Sequence, residues 1–153
     1  MILKQYIRPE CFLHDLQEKD REGALKAIVK HLKERGCIRN EEEIFGKLID
    51  REKIQSTAVG NGIAIPHCFS DEIADLIIVV VRSPQGLDFQ SFDGKPTRVI
   101  FLLLGNKQNH GLHLKALARI ARLIKNTQFI EKVVAAAGVA DMVAAFTDEE
   151  AKI

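Results

Sequence analysis

Two unbroken apolar runs, Leu76 to Val81 and Val99 to Leu104, restrict the fold more than anything else in this sequence. Each has the length of a strand and lacks the polar alternation of a half-buried one. A strand that is apolar at every position has to be covered on both faces, which requires helices on each side of a sheet. Neither run is long enough to span a membrane.

Helical periodicity supplies that cover. Asp20 to Lys33 reads as an amphipathic helix with Ala24, Leu25, Ile28, Val29 and Leu32 inward, stopped at Arg35-Gly36. Asn40 caps a second helix, whose first turn carries Glu41, Glu42 and Glu43, the charge its dipole favours. It turns Ile44, Leu48 and Ile49 inward and runs to about Glu52. His113 to Lys125 returns to a helical period, with Leu114, Leu117, Ala118, Ala121 and Ile124 on one face. Two shorter helices follow, Gln128 to Ala137 and Val139 to Phe146, separated by Gly138.

The strands lie between these helices, at Leu76 to Arg82 and Arg98 to Leu104, with two short extended pieces around a Gly60-Asn61-Gly62 turn before them. Ser83 to Gly86 and Phe92 to Pro96 read as turns flanking a short strand at Leu87 to Phe89. Helices, then strands, then helices in 153 residues make one domain of α/β or α+β sandwich class.

Composition narrows the setting. With 46% hydrophobic residues the chain can build its own core, and its 28% of charged residues nearly cancel to a net +1. Such a balance gives no field for nucleic acid. The three cysteines, Cys11, Cys37 and Cys68, are widely spaced and form no C-x-x-C pair. They are read as reduced thiols, with neither a disulfide framework nor a Cys-based zinc site. Met1 to Gln5 shows no signal-peptide pattern, so the expected setting is the cytoplasm, with no insertion into a membrane.

Chemistry concentrates at a few positions. Gly60-Asn61-Gly62-Ile63-Ala64-Ile65-Pro66-His67 has glycines that allow close backbone approach, and Pro66 ends ladder pairing. His67 then stands at a rigid strand terminus, reachable by another protein, with one neutral ring nitrogen free as a nucleophile. The alternative is a partly buried histidine bonded to backbone. Asn109-His110-Gly111-Leu112-His113 follows a strand and opens a helix, where free N–H groups and the dipole favour a phosphate.

Either histidine there is also readable as a plain loop residue. Their i, i+3 spacing would suit metal ligands, but no third ligand stands beside them, so no metal is expected. Cys68 is read as a packing residue, since neighbours on a strand point to opposite faces. Arg51 is either an ordinary solvated charge or a bidentate clamp for a dianionic phosphoryl group. Lys115, Arg119, Arg122 and Lys125 read as a solvated helix face.

Together, Arg51-Glu52-Lys53, Ser56-Thr57 and the segment Gly60 to His67 resemble the active-site region of mannitol/fructose-type enzyme IIA domains. These belong to the bacterial phosphotransferase system, and the nitrogen-regulatory IIA proteins are of the same family. The resemblance continues through Gly86 to Phe89, Phe92 to Pro96, Val99 to Leu104 and His113 to Arg119. It implies an α/β fold, with a mixed β-sheet sandwiched by helices on both sides, in a single EIIA type-2 domain over residues 1–153.

The resemblance also implies a histidine phosphocarrier. His67 would be phosphorylated on Nε2, His113 would orient the phosphoryl group and Arg51 would neutralise it, with no cofactor. The donor would be the phosphorylated carrier HPr. Two roles remain open: a regulatory module whose grip on a target protein depends on phosphorylation, or a sugar-specific IIA that passes phosphate to a IIB domain. No fused transporter domain accompanies the chain, which leans towards regulation. Cys68 departs from the family, which often has Gly after the histidine, and His110 is a second candidate beside His113.

Overall fold

A computed structural model describes residues 1–153. Five α-helices and a five-stranded sheet make up the fold: α1 (Arg21–Glu34), α2 (Glu41–Ile54), β1 (Ala58–Gly60), β2 (Ile63–Ala64), β3 (His67–Phe69), β4 (Leu76–Leu87), β5 (Thr97–Gly105), α3 (His110–Leu123), α4 (Thr127–Val134) and α5 (Val139–Glu150). The caps act as their sequence implies. The Asp20 side chain accepts from the Gly23 N–H at 2.8 Å, and the Asn40 side chain accepts from the Glu43 N–H.

β5 is the centre of the sheet. It pairs antiparallel with β4 on one edge and parallel with both β2 and β3 on the other. Ile63 faces Val99 and His67 faces Leu103, so β2 and β3 are one line of strand interrupted at Ile65-Pro66. β1 folds back antiparallel on β2. The sheet is therefore mixed, as expected.

Successive residues of β4, from Ile78 to Val81, are each exposed by 1% or less, so both pleat faces are covered. α2 packs on β3, while α3 and α4 pack on β5 and α4 also reaches β4. No helix is long and apolar enough to cross a membrane.

Five details differ from the sequence reading. Ser83 to Gly86 is not a turn, because β4 runs on through it with a register shift between Arg82 and Leu87. Pro66 does not end pairing for good, since β3 resumes at His67. α3 opens at His110, and its buried face is His113, Ala116, Ile120 and Leu123, while Leu114 is 54% exposed. The helix is phased by a buried histidine that an apolar count ignores.

Arg119 is not solvated either, as its Nε donates to Glu150 at 2.8 Å. Finally, Cys11 and Cys37, widely spaced in sequence, are neighbours in space, with 6.6 Å between their Cα atoms. Their separation of 26 residues hid this proximity. The turn after α1 brings Cys37 back against the short 3-10 helix Pro9–Cys11.

Candidate active site

The interruption between β2 and β3 sets the geometry of His67. The Pro66 carbonyl accepts from the Leu103 N–H at 3.0 Å and keeps the chain in the sheet. The Ile65 carbonyl is turned to the imidazole instead, and lies 2.8 Å from Nδ1 of His67. A carbonyl only accepts, so Nδ1 carries the proton and Nε2 carries the lone pair. A strand break has thereby chosen the tautomer.

β5 runs parallel to β3 and ends at Gly105, from which a short loop leads to α3 and His113 in its first turn. The site thus lies at the carboxyl ends of parallel strands, where open α/β sheets bind ligands. The rings of His67 and His113 are 5.4 Å apart, tilted by 56°. His113 is 2% exposed and neither ring nitrogen has a hydrogen-bond partner. Phe69 stands against it, with ring centroids 4.5 Å apart.

Space for His113 depends on Gly105, because a Cβ there would come within 2.6 Å of Nδ1 of His113. The first turn of α3 carries no acidic residue, and Asn109 makes no side-chain cap. The dipole end beside His113 is not neutralised from within the helix.

His67 and Arg51 line one cleft of about 370 Å³, with Lys47 and Lys107 also on its wall. One Nη of Arg51 donates to the Gln55 carbonyl at 2.8 Å, which holds the side chain at the end of α2 and leaves the rest of its fork free. Glu52 is buried beside it, at 2% exposure. It accepts from the Thr57 N–H at 3.0 Å and from the Thr57 hydroxyl at 2.5 Å, with Arg21 3.7 Å away. This network ties the end of α2 to the start of β1.

Both histidines are held neutral. Burial lowers the pKa of His67, the Ile65 carbonyl opposes that shift, Arg51 adds to it and Glu52 resists it. Burial, and then repulsion from His67 and His110, lowers His113 to about 4. Cys68 follows His67 on the same cleft but is buried, which raises its thiol to about 12 and makes it inert.

Of the residues singled out from sequence, His67, His113 and Arg51 converge here. His110 is exposed at the mouth, 5.3 Å from the Phe69 ring. Sequence reasoning missed the Glu52–Thr57 tie, the space at Gly105 and the Ile65 carbonyl. Only the first left a trace, as the Glu next to Arg51 in the quoted motif.

The arrangement holds an uncharged imidazole with a free Nε2 lone pair beside a guanidinium, two lysines, of which Lys47 is paired with Glu43, and the carboxylate of Asp50. Residues 5–149 match the family model described as phosphoenolpyruvate-dependent sugar phosphotransferase system, EIIA 2. A nitrogen regulatory protein of Bradyrhizobium diazoefficiens is 35% identical over 133 residues, which is 87% of this chain and 86% of that one.

The nitrogen regulatory protein IIA-Ntr of Neisseria meningitidis has a similar structure, with a TM-score of 0.85 at 24% identity over 94% of this chain and 97% of that one. The mannitol enzyme IIA of Escherichia coli, solved in complex with phosphorylated enzyme IIB, gives 0.77 at 17% identity over 93% and 99% of the two chains. At these identities the likeness is one of fold.

Proposed function

The chain belongs to the EIIA 2 family of the phosphoenolpyruvate-dependent sugar phosphotransferase system, and from that premise we propose that it is a histidine phosphocarrier whose acceptor atom is Nε2 of His67. The observation that carries this reading is the Nδ1–H bond to the Ile65 carbonyl, which leaves Nε2 as the free nucleophile in the cleft of Arg51. The protein acts as a phosphotransferase with a phosphohistidine intermediate, in one EIIA type-2 domain over residues 1–153, in the cytoplasm.

The donor is the phosphohistidine of an HPr-type carrier. As its P–N bond breaks, the lone pair of Nε2 forms the new bond to phosphorus. The proton on Nδ1 stays where it is, shared with the Ile65 carbonyl. The chemistry is therefore mainly positioning and charge stabilisation. Arg51 neutralises the phosphoryl oxygens with its free N–H groups. His113, uncharged at neutral pH, donates one N–H to them and orients the group.

The role we assign is regulatory, with a target protein whose binding depends on phosphorylation. The 35% identity with a nitrogen regulatory protein over most of the chain supports it. In the alternative, a sugar-specific IIA passes the group to a IIB domain, and transfer from the phosphorylated chain to a fructose- or mannitol-type IIB would favour that role.

The site assignment is tested by 31P and 15N NMR of the phosphorylated chain. Phosphorus coupled to Nε2 of His67, with Nδ1 still protonated, is expected. Phosphorus on Nδ1, or on His113, contradicts it.

A further inference from the structure

A second cleft, larger than the one at His67, encloses about 590 Å³, a volume typical of metabolite pockets. One wall is the β1–β2 hairpin around Asn61 and Gly62, and the other is the junction of α3 and α4. Ile63 lines it and pairs with Val99, whereas His67 pairs with Leu103. Four residues along a strand are roughly 13 Å, so this cleft opens towards the other end of the same line of strand. It belongs to no step of the phosphoryl transfer.

Its charge is positive on balance. Lys95, Arg98 and Lys125 reach the cleft against one carboxylate, Glu131, and none of the four makes an ion pair. Arg98 makes only a long bond, 3.4 Å, to the Pro84 carbonyl. The three cations stand against Glu131 and, at the rim, Asp93, which accepts from the Asn61 N–H at 3.0 Å and lies near Lys95. The balance in this concave site stays positive, and an anion there offsets it.

Apolar side chains make up part of the remaining lining, Ile63, Ile124 and Ile130 with the 44%-exposed Val59. Thr127, the first residue of α4, adds a hydroxyl to the wall. Such a lining is suited to an apolar or planar body rather than to a bare inorganic ion.

We propose that this cleft is a second binding site, for a metabolite-sized organic phosphate, with Lys95, Arg98 and Lys125 holding its phosphates and the isoleucines its body. The probe is ATP, titrated without metal into the full 15N-labelled chain, beside pyrophosphate alone and adenosine alone. ATP is expected to give saturable shifts at Gly60, Gly62 and Thr127, with Phe69 and His113 unmoved. Pyrophosphate and adenosine each bind at least about tenfold more weakly, since each keeps only half of the contacts.

A Lys95→Glu, Lys125→Glu variant, checked for an unchanged melting temperature and unchanged phosphorylation of His67, loses affinity for ATP by about tenfold or more. The proposal is overturned by any one of four results. These are no saturable shift up to about 5 mM ATP, shifts centred on residues 67–69, pyrophosphate binding as tightly as ATP, and a charge-reversed variant that binds normally.

Discussion

Neither ring nitrogen of His113 has a partner, although the residue is 2% exposed, in an interior where an unpaired polar group is costly. The His67 ring stands beside it, with centroids 5.4 Å apart. The native pKa of about 4, against 6.5 in an unfolded chain, couples this residue to stability. Between those values the unfolded chain binds the extra proton and the native one does not. Stability is therefore full above pH 6.5 and declines as pH falls towards 4.

Thermal melting from pH 7 to pH 5 should show a smaller loss in His113→Gln than in wild type, and equal losses would contradict the assignment. Phosphorylation reverses the electrostatics. A dianion on His67 raises the His113 pKa, which histidine NMR titration of the two forms would read. His67 and Arg51 could be named from the sequence because they stand in a motif that resembles the family's, although residue type alone left both readings open. The carbonyl of Ile65 could not, since a backbone group leaves no letter. Gly105 could not either, since its contribution is empty space.

At the scale of elements, the site is made by one interruption and one tie. Pro66 breaks the β2–β3 line, which frees a carbonyl to choose the His67 tautomer. The end of α2 is fixed to β1 by Glu52 and Thr57, which places Arg51 at the same cleft. Thr57→Val keeps the shape and the backbone bond but leaves one oxygen of a buried carboxylate without its hydroxyl. We expect a loss of about 1–3 kcal/mol in urea unfolding. Slower phosphorylation is expected with it, because the anchor of Arg51 loosens. Unchanged stability would mean that water replaces the hydroxyl.

The helices with plain apolar stripes and caps, α1 and α2, were readable almost to the residue. α3 was not, because its stripe includes a buried histidine and leaves Leu114 in solvent. The run through Ser83-Pro84-Gln85-Gly86 was misread because turn residues also tolerate a strand irregularity.

Across the whole molecule, residues at both ends of the chain meet. Glu150 accepts from the Leu3 N–H at 2.5 Å, from the Lys4 N–H at 2.9 Å and from Arg119. The segment that follows lies along β4, bridging Ile7 to Ile78 and Leu13 to Val81. Glu150→Ala strands Arg119 and two backbone donors, so a loss of ~2 kcal/mol is expected. Hydrogen exchange at Leu3 and Lys4 should accelerate well before global unfolding. Protection that stays intact would contradict this role.

The layered architecture was legible because two runs apolar on both faces admit few other arrangements. Long-range contacts such as Glu150 to Leu3, or Cys11 to Cys37, were not, since nothing local marks them.

The central claim is that His67 carries the phosphoryl group. Its most direct test is intact-mass measurement after incubation with phosphoenolpyruvate, enzyme I and HPr, for wild type, His67→Ala and His113→Ala. The account predicts one acid-labile phosphoryl group on wild type and none on His67→Ala. For His113→Ala it predicts one that forms more slowly. No phosphoryl group on wild type, with a control IIA labelled in the same mixture, would contradict it, as would a labelled His67→Ala.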